Sequence, residues 1–149
     1  MPFLYFYLSD FFVILNQCPM KLFLHLELRK WQDTGYEKPL LSFASSLSSD
    51  VIGAEIDNQS ESSIVDVVIK LCDQVHQIFI LIQAQPDESI GSTLKLLHHL
   101  LRNDQQVHTV VLSGNHEKAE KMLGTLEQRF IKEDDHDKIR GLIKDFALA

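Results

Sequence analysis

The chain is short of the residues that build ready-made chemistry. Its two cysteines, Cys18 and Cys72, lie far apart in unlike surroundings. Neither a disulfide framework nor a zinc site is expected from them, and a reducing, cytoplasmic setting fits best. The six glycines are scattered, with no Gly-x-Gly-x-x-Gly turn and no Walker-type loop. That counts against a bound dinucleotide or triphosphate, and no cofactor is expected. The strand-to-helix elbow Gly-x-Ser-x-Gly of serine hydrolases is absent too. Positive charge is scarce: 14 Lys and Arg against 21 Asp and Glu give a net charge of −7. Without clustered basic residues no broad phosphate-binding surface can form, so nucleic acid is not expected as a partner.

What is present suits one globular domain. Hydrophobic residues make up 45% and charged residues 23% of 149, enough apolar surface for a core and too little charge for disorder. The first nineteen residues stand apart, with Phe3, Tyr5, Phe6, Tyr7, Phe11 and Phe12 around a single charge, Asp10. No Lys or Arg precedes Lys21, so the basic flank of a secretion signal is missing. The apolar run over 3–15 is shorter than the roughly 20 residues of a membrane span and contains Asp10. The run Met20-Lys21-Leu22-Phe23-Leu24 reads as a strand at a natural start, with 1–19 an extension ahead of a single domain over 20–149. A peripheral element, or membrane association through residues 3–15, stays open.

From Lys21 two periods alternate. Leu22, Leu24, Leu26 and Leu28 recur every second residue, which predicts a strand. A turn-rich stretch, Trp31 to Glu37, leads to Pro39, suited to the first turn of a helix, in which Leu40, Phe43, Ala44 and Leu47 form one stripe. Val51 to Ile56 reads as a strand, closed by Asp57-Asn58-Gln59-Ser60, which offers N-caps for the next helix. There Ile64, Val67, Val68, Leu71 and Val75 are expected to face inward. Ile78 to Ile82 is uninterruptedly apolar, as in a strand covered on both faces. A helix with Ile90, Leu94, Leu97 and Leu101 follows, then a strand from Val107 to Leu112. The next helix turns Ala119, Met122, Leu123 and Leu126 inward. A terminal helix started by Asp134 or Asp135 carries Ile139, Leu142, Ile143 and Phe146. Phe130-Ile131 is either a fifth strand or part of a long bent helix pair. This alternation predicts a three-layer α/β/α domain with a mainly parallel sheet of four or five strands, in a flavodoxin-like or Rossmann-like topology.

In such sheets ligands sit beyond the carboxyl ends of the strands, where strand order reverses. The corresponding loops lie near Glu27–Arg29, Asp57–Ser60, Gln83–Asp87 and Ser113–Glu117. The candidate ligand-binding residues are Asp57, Ser113, Gly114, Asn115 and His116, because a glycine turn feeding a helix presents free N–H groups to an anion. Gly114-Asn115-His116-Glu117 resembles one metal-binding block of the calcineurin-like metallophosphoesterases, in which Asn115 and His116 face the metals. That family's Asp-x-His and Gly-Asp-x-x-Asp blocks are absent, and one block of ligands cannot build a two-metal site. As ordinary structure, Asn115 caps a helix, Gly114 turns the chain and Glu117 faces the helix dipole. Seven histidines show no zinc-ligand spacing: His98 and His99 diverge on a helix, and any meeting of His25 with His108 depends on strand order. No metal is expected. Cys72, beside an apolar stripe, reads as a small hydrophobe.

The order of elements is similar to that of receiver domains of bacterial response regulators. Pro86 and Gly91 resemble the turn after their third strand, Ser113 the hydroxyl residue ending the fourth, and Lys132 the lysine ending the fifth. The first strand, however, ends in Glu27-Leu28-Arg29 rather than an acidic pair, and the phosphoacceptor position falls on Ile82 or Gln83. The likeness implies a degenerate, non-phosphorylated relative. The expected function is that of a non-catalytic regulatory or protein-interaction module with a protein partner or a second copy of itself. The alternative is a small-ligand or anion-binding protein or hydrolase using the carboxyl-edge loops.

Overall fold

The strand expected from Leu22 to Leu28 forms over Lys21–Leu28 (β1), the first of five in a computed structural model that describes residues 20–30 and 39–149. The extension 1–19 and the turn-rich stretch Trp31 to Glu37 lie outside the described residues. The chain continues through α1 (Pro39–Leu47), β2 (Val51–Asp57), α2 (Ser62–Gln74), β3 (Gln77–Ala84), α3 (Thr93–Arg102) and β4 (Val107–Gly114). It ends with α4 (Glu117–Leu123), β5 (Phe130–Lys132) and α5 (His136–Leu148). The sheet order is β2-β1-β3-β4-β5, and every pairing is parallel. This is the flavodoxin-like arrangement, and its order reverses between β1 and β3.

The period-2 pattern of the strands builds two cores. Leu22, Leu24, Leu26, Ile78, Ile80, Ile82, Val110 and Leu112 face α2, α3 and α4. Phe23, Phe79, Leu81 and Val111 face α1 and α5, with the Phe79 ring 5.6 Å from that of Phe23 and 5.5 Å from that of Phe146. β3 is buried on both faces because helices cover both, as its apolar run requires. Each such side chain removed from water contributes about 2 kcal/mol.

Several local expectations need correction. On α2 the inward residues are Val65, Val68, Cys72 and Val75, while Ile64 is 47% and Val67 65% exposed. Apolar residues cover more than half of this helix, so two stripes of helical period compete in the sequence. Packing against α3 selects one, with Asp66 bonded to Lys95 at 2.6 Å and Asp73 to His99 at 2.8 Å. None of Asp57 to Ser60 caps α2; its N-cap is Glu61, without a side-chain bond. α3 starts later than expected, at Thr93, and buries Leu96, Leu97 and Leu100. Asp135, rather than Asp134, caps α5 by accepting from the N–H groups of Asp137 and Lys138.

Phe130–Lys132 is indeed a strand, paired with β4 from Val110↔Phe130 to Leu112↔Lys132. Arg129 fixes its entry, donating to the carbonyls of Asp104 at 2.6 Å and Val107 at 3.1 Å. Among the described residues no helix is long and apolar enough to cross a membrane.

Candidate functional site

The carboxyl edge of the sheet brings the candidate residues to one rim but not into one site. Asp57 ends β2 and folds its own turn: its Oδ1 accepts from Gln59 N at 2.7 Å and Ser60 Oγ at 3.3 Å. Next to it Asn58, 6% exposed, donates through Nδ2 to Ser89 O at 2.7 Å. Gly91, at φ +58, lies so close to the Asn58 carbonyl that a Cβ there would overlap it. The β2–α2 turn is thereby stapled to the β3–α3 loop.

The Ser113–His116 segment ties loops together in the same way. The Oδ1 of Asp134 accepts from Gly114 N at 2.7 Å and Ser113 Oγ at 3.3 Å, which joins the ends of β4 and β5. Asn115 is not the N-cap of α4. Its Oδ1 accepts from Lys132 Nζ at 3.2 Å, and the cap is His116, whose Nδ1 accepts from Ala119 N at 3.2 Å. The Nε2 of His116 reaches the Glu88 carbonyl at 2.5 Å. A carbonyl only accepts, so this bonding pattern assigns the neutral Nε2–H tautomer. Both ring nitrogens are occupied in holding α4 to the β3–α3 loop. An open cleft of about 490 Å³ adjoins this junction, lined by Asp87, Glu88, His116, Glu117, Lys118 and Lys121.

Lys132 also pairs with Glu120 Oε1 at 2.7 Å. Its hydrogen bond is the main reason the Glu120 carboxyl sits below its ordinary range. A folded-state value below the unfolded one contributes stability that is complete above the ordinary glutamate range and fades as pH falls through the folded value. In carboxyl-detected NMR, Glu120 is expected to titrate at higher pH in Lys132→Met than in the wild type. Equal midpoints would contradict the pairing.

Side-chain proximity that the sequence did not disclose appears where strand order reverses. Strand register sets Asp57, Glu27, Gln83 and Ser113 side by side in one row across β2, β1, β3 and β4. His25 lies one step below on the same face, and its Nε2 meets Gln83 Oε1 at 2.8 Å. His25 and Glu27 are 4% and 3% exposed, with Nδ1 and Oε1 3.8 Å apart. Gln83 is one of the two positions, with Ile82, on which the receiver likeness places a phosphoacceptor, and an amide cannot take a phosphoryl group as a carboxylate does. The signal was His25 and Glu27 alternating within an apolar strand, but their relation to Gln83 needs β1 beside β3.

Two other histidines serve other neighbours. His108 bonds Thr109 Oγ1 at 2.8 Å and packs against Phe146, and His99 pairs with Asp73. Among the described residues no group of three or more His, Cys, Asp or Glu could hold a metal ion. Cys72 is fully buried, and burial pushes its thiol up to about 12, far from the thiolate a nucleophile needs. No protein family, no curated protein and no solved structure matches this chain.

Proposed function

We propose that this domain works by contact with another protein, as a small regulatory or assembly module in a reducing, cytoplasmic setting. The observation that carries this reading is the outer stripe of α2. Ile64 and Val67 stand 47% and 65% exposed, and half-buried Leu71 continues them at helical spacing. Side chains of this kind on one line of a helix represent apolar surface left for a partner to cover. The carboxyl-edge residues add support from the other side. Ser113, Gly114, Asn115 and His116 are engaged in bonds that hold loops together, and Asp57 is engaged within its own turn.

A second reading is a small-ligand or anion-binding protein or hydrolase at the carboxyl edge. It is favoured by the cleft beside His116 and by buried His25 and Glu27 next to half-buried Gln83, since ionisable groups held away from water cluster at functional sites. Amide NMR during titration with inorganic phosphate, and separately with ATP, distinguishes the two. The contact reading expects no saturable shift at Asp57 or Ser113–Glu117 below millimolar ligand. Saturation there at micromolar ligand transfers the assignment to the second reading.

A further inference from the structure

Among the described residues, sheet order leaves β2 with one unpaired edge, whose hydrogen-bonding groups can be assigned residue by residue. Successive residues of a strand send their N–H and C=O to opposite sides. Lys21 N donates to Asp50 O at 2.9 Å and Asn58 N to Glu27 O at 3.0 Å. The backbones of Ile52, Ala54 and Ile56 therefore face β1, and those of Val51, Gly53, Glu55 and Asp57 face outward. Val51 N already donates to Ser48 O at 3.3 Å, and Asp57 N to Ser60 Oγ at 3.0 Å. Among the described residues, the N–H groups of Gly53 and Glu55 remain presented at the edge.

Natural sheets guard such edges with lysine, proline or a bulge. β2 contains neither residue, and its register with β1 runs unbroken from Lys21↔Val51 to Glu27↔Asp57. Apolar surface flanks this edge on one face. Asp66 and Asp73 turn toward α3, so Ile64, Val67 and Leu71, on the opposite shoulder of α2, turn toward β2, the strand at that end of the sheet. Half-buried Ile52 and Ala54 of β2 pack against the same core as Leu71. On the other face of β2, Val51 packs into the core under α1 and Gly53 lies against Leu41 and Ser45 of that helix, and the exposed charge is acidic. Exposed Glu55 projects there, with exposed Asp50 and Glu61 at the two ends, and none of the three forms an ion pair among the described residues. Lys70, on the outer side of α2, is the nearest basic residue along that helix.

We infer that the β2 edge accepts an extended segment of another protein as a sixth strand, with apolar side chains toward α2 alternating with Lys or Arg toward Glu55. The backbone supplies hydrogen bonds and the two faces supply the alternation, as in other cases of strand addition. A second copy of this chain fits less well, because β2 against itself sets the same acids against one another. The inference rests on the contact reading and specifies the partner's chemistry.

Selection of random twelve-residue peptides on the full chain tests it. Enriched peptides are expected to alternate apolar residues with Lys or Arg. Their binding is expected to weaken about tenfold in Glu55→Pro, which removes one outward N–H at an edge position where proline is tolerated, and similarly in Val67→Asp. Glu55→Lys leaves the backbone intact and is expected to shift enrichment toward acidic residues, so it decides the matter even if the proline variant fails to fold. Peptides that lose binding in Val67→Asp yet ignore both Glu55 substitutions would overturn strand addition and leave the contact reading standing. No enrichment, or binding indifferent to all three substitutions, would overturn both.

Discussion

Gly114→Ala is expected to lower the stability of the domain by about 3–5 kcal/mol. Gly114 ends β4 at φ +90, and a side chain in the positive-φ region costs about 1–2 kcal/mol by itself. The added Cβ would also overlap the carbonyl oxygen of Ala84, a backbone atom of the neighbouring strand. Relief requires β3 and β4 to part at the Ala84↔Gly114 pair, which also strains the Gly114 N–H bond to Asp134 at 2.7 Å. A fall in melting temperature on the order of 10 °C follows for a domain of this size, to be read from thermal and urea unfolding. Gly141→Ala is the control. It lies in α5 with nothing within 4 Å of its added Cβ and is expected to stabilise by about 0.5–1 kcal/mol. Equal effects at the two glycines would contradict the tight approach of β3 to β4.

His116→Ala is expected to cost about 2–4 kcal/mol. The ring is 5% exposed, and its loss strands the Ala119 N–H and the Glu88 carbonyl, each of which costs about 1–3 kcal/mol when left without a partner. His116→Asn can rebuild the helix cap, worth about 1 kcal/mol, but its shorter side chain does not replace the Glu88 bond, so partial recovery is expected. Urea unfolding measures both. If His116→Ala changed stability by less than about 0.5 kcal/mol, the ring would not be the tie between α4 and the β3–α3 loop. The small-ligand reading of the adjoining cleft would then gain.

The fold was largely legible because the two periods did not compete along most of the chain. Ile78–Ile82 admits one environment, covered on both faces, and the stripe Ile139–Ile143–Phe146 admits one helix face. Legibility failed where composition allowed two solutions. α2 carries Ile64, Val65, Val67, Val68 and Ile69 in six residues, so its inward face was decided by the position of α3 rather than by period. At the start of α4 either Asn115 or His116 could cap, and Lys132, brought alongside by β5, claims Asn115. The row Asp57–Glu27–Gln83–Ser113 was beyond reach because it depends on strand order, which local pattern does not encode. The candidate loops lie at the carboxyl rim, but bonds that occupy the side chains of Ser113, Asn115 and His116 come from residues 17–28 positions away.

Native-state hydrogen exchange along β2 tests the contact surface most directly. An open edge at this strand requires fast exchange at the amides of Gly53 and Glu55 and slow exchange at those of Ile52, Ala54 and Ile56, which bond to β1. Strong protection at all five in the free protein would mean that something already covers the edge, and the assignment of β2 as the docking strand would be wrong.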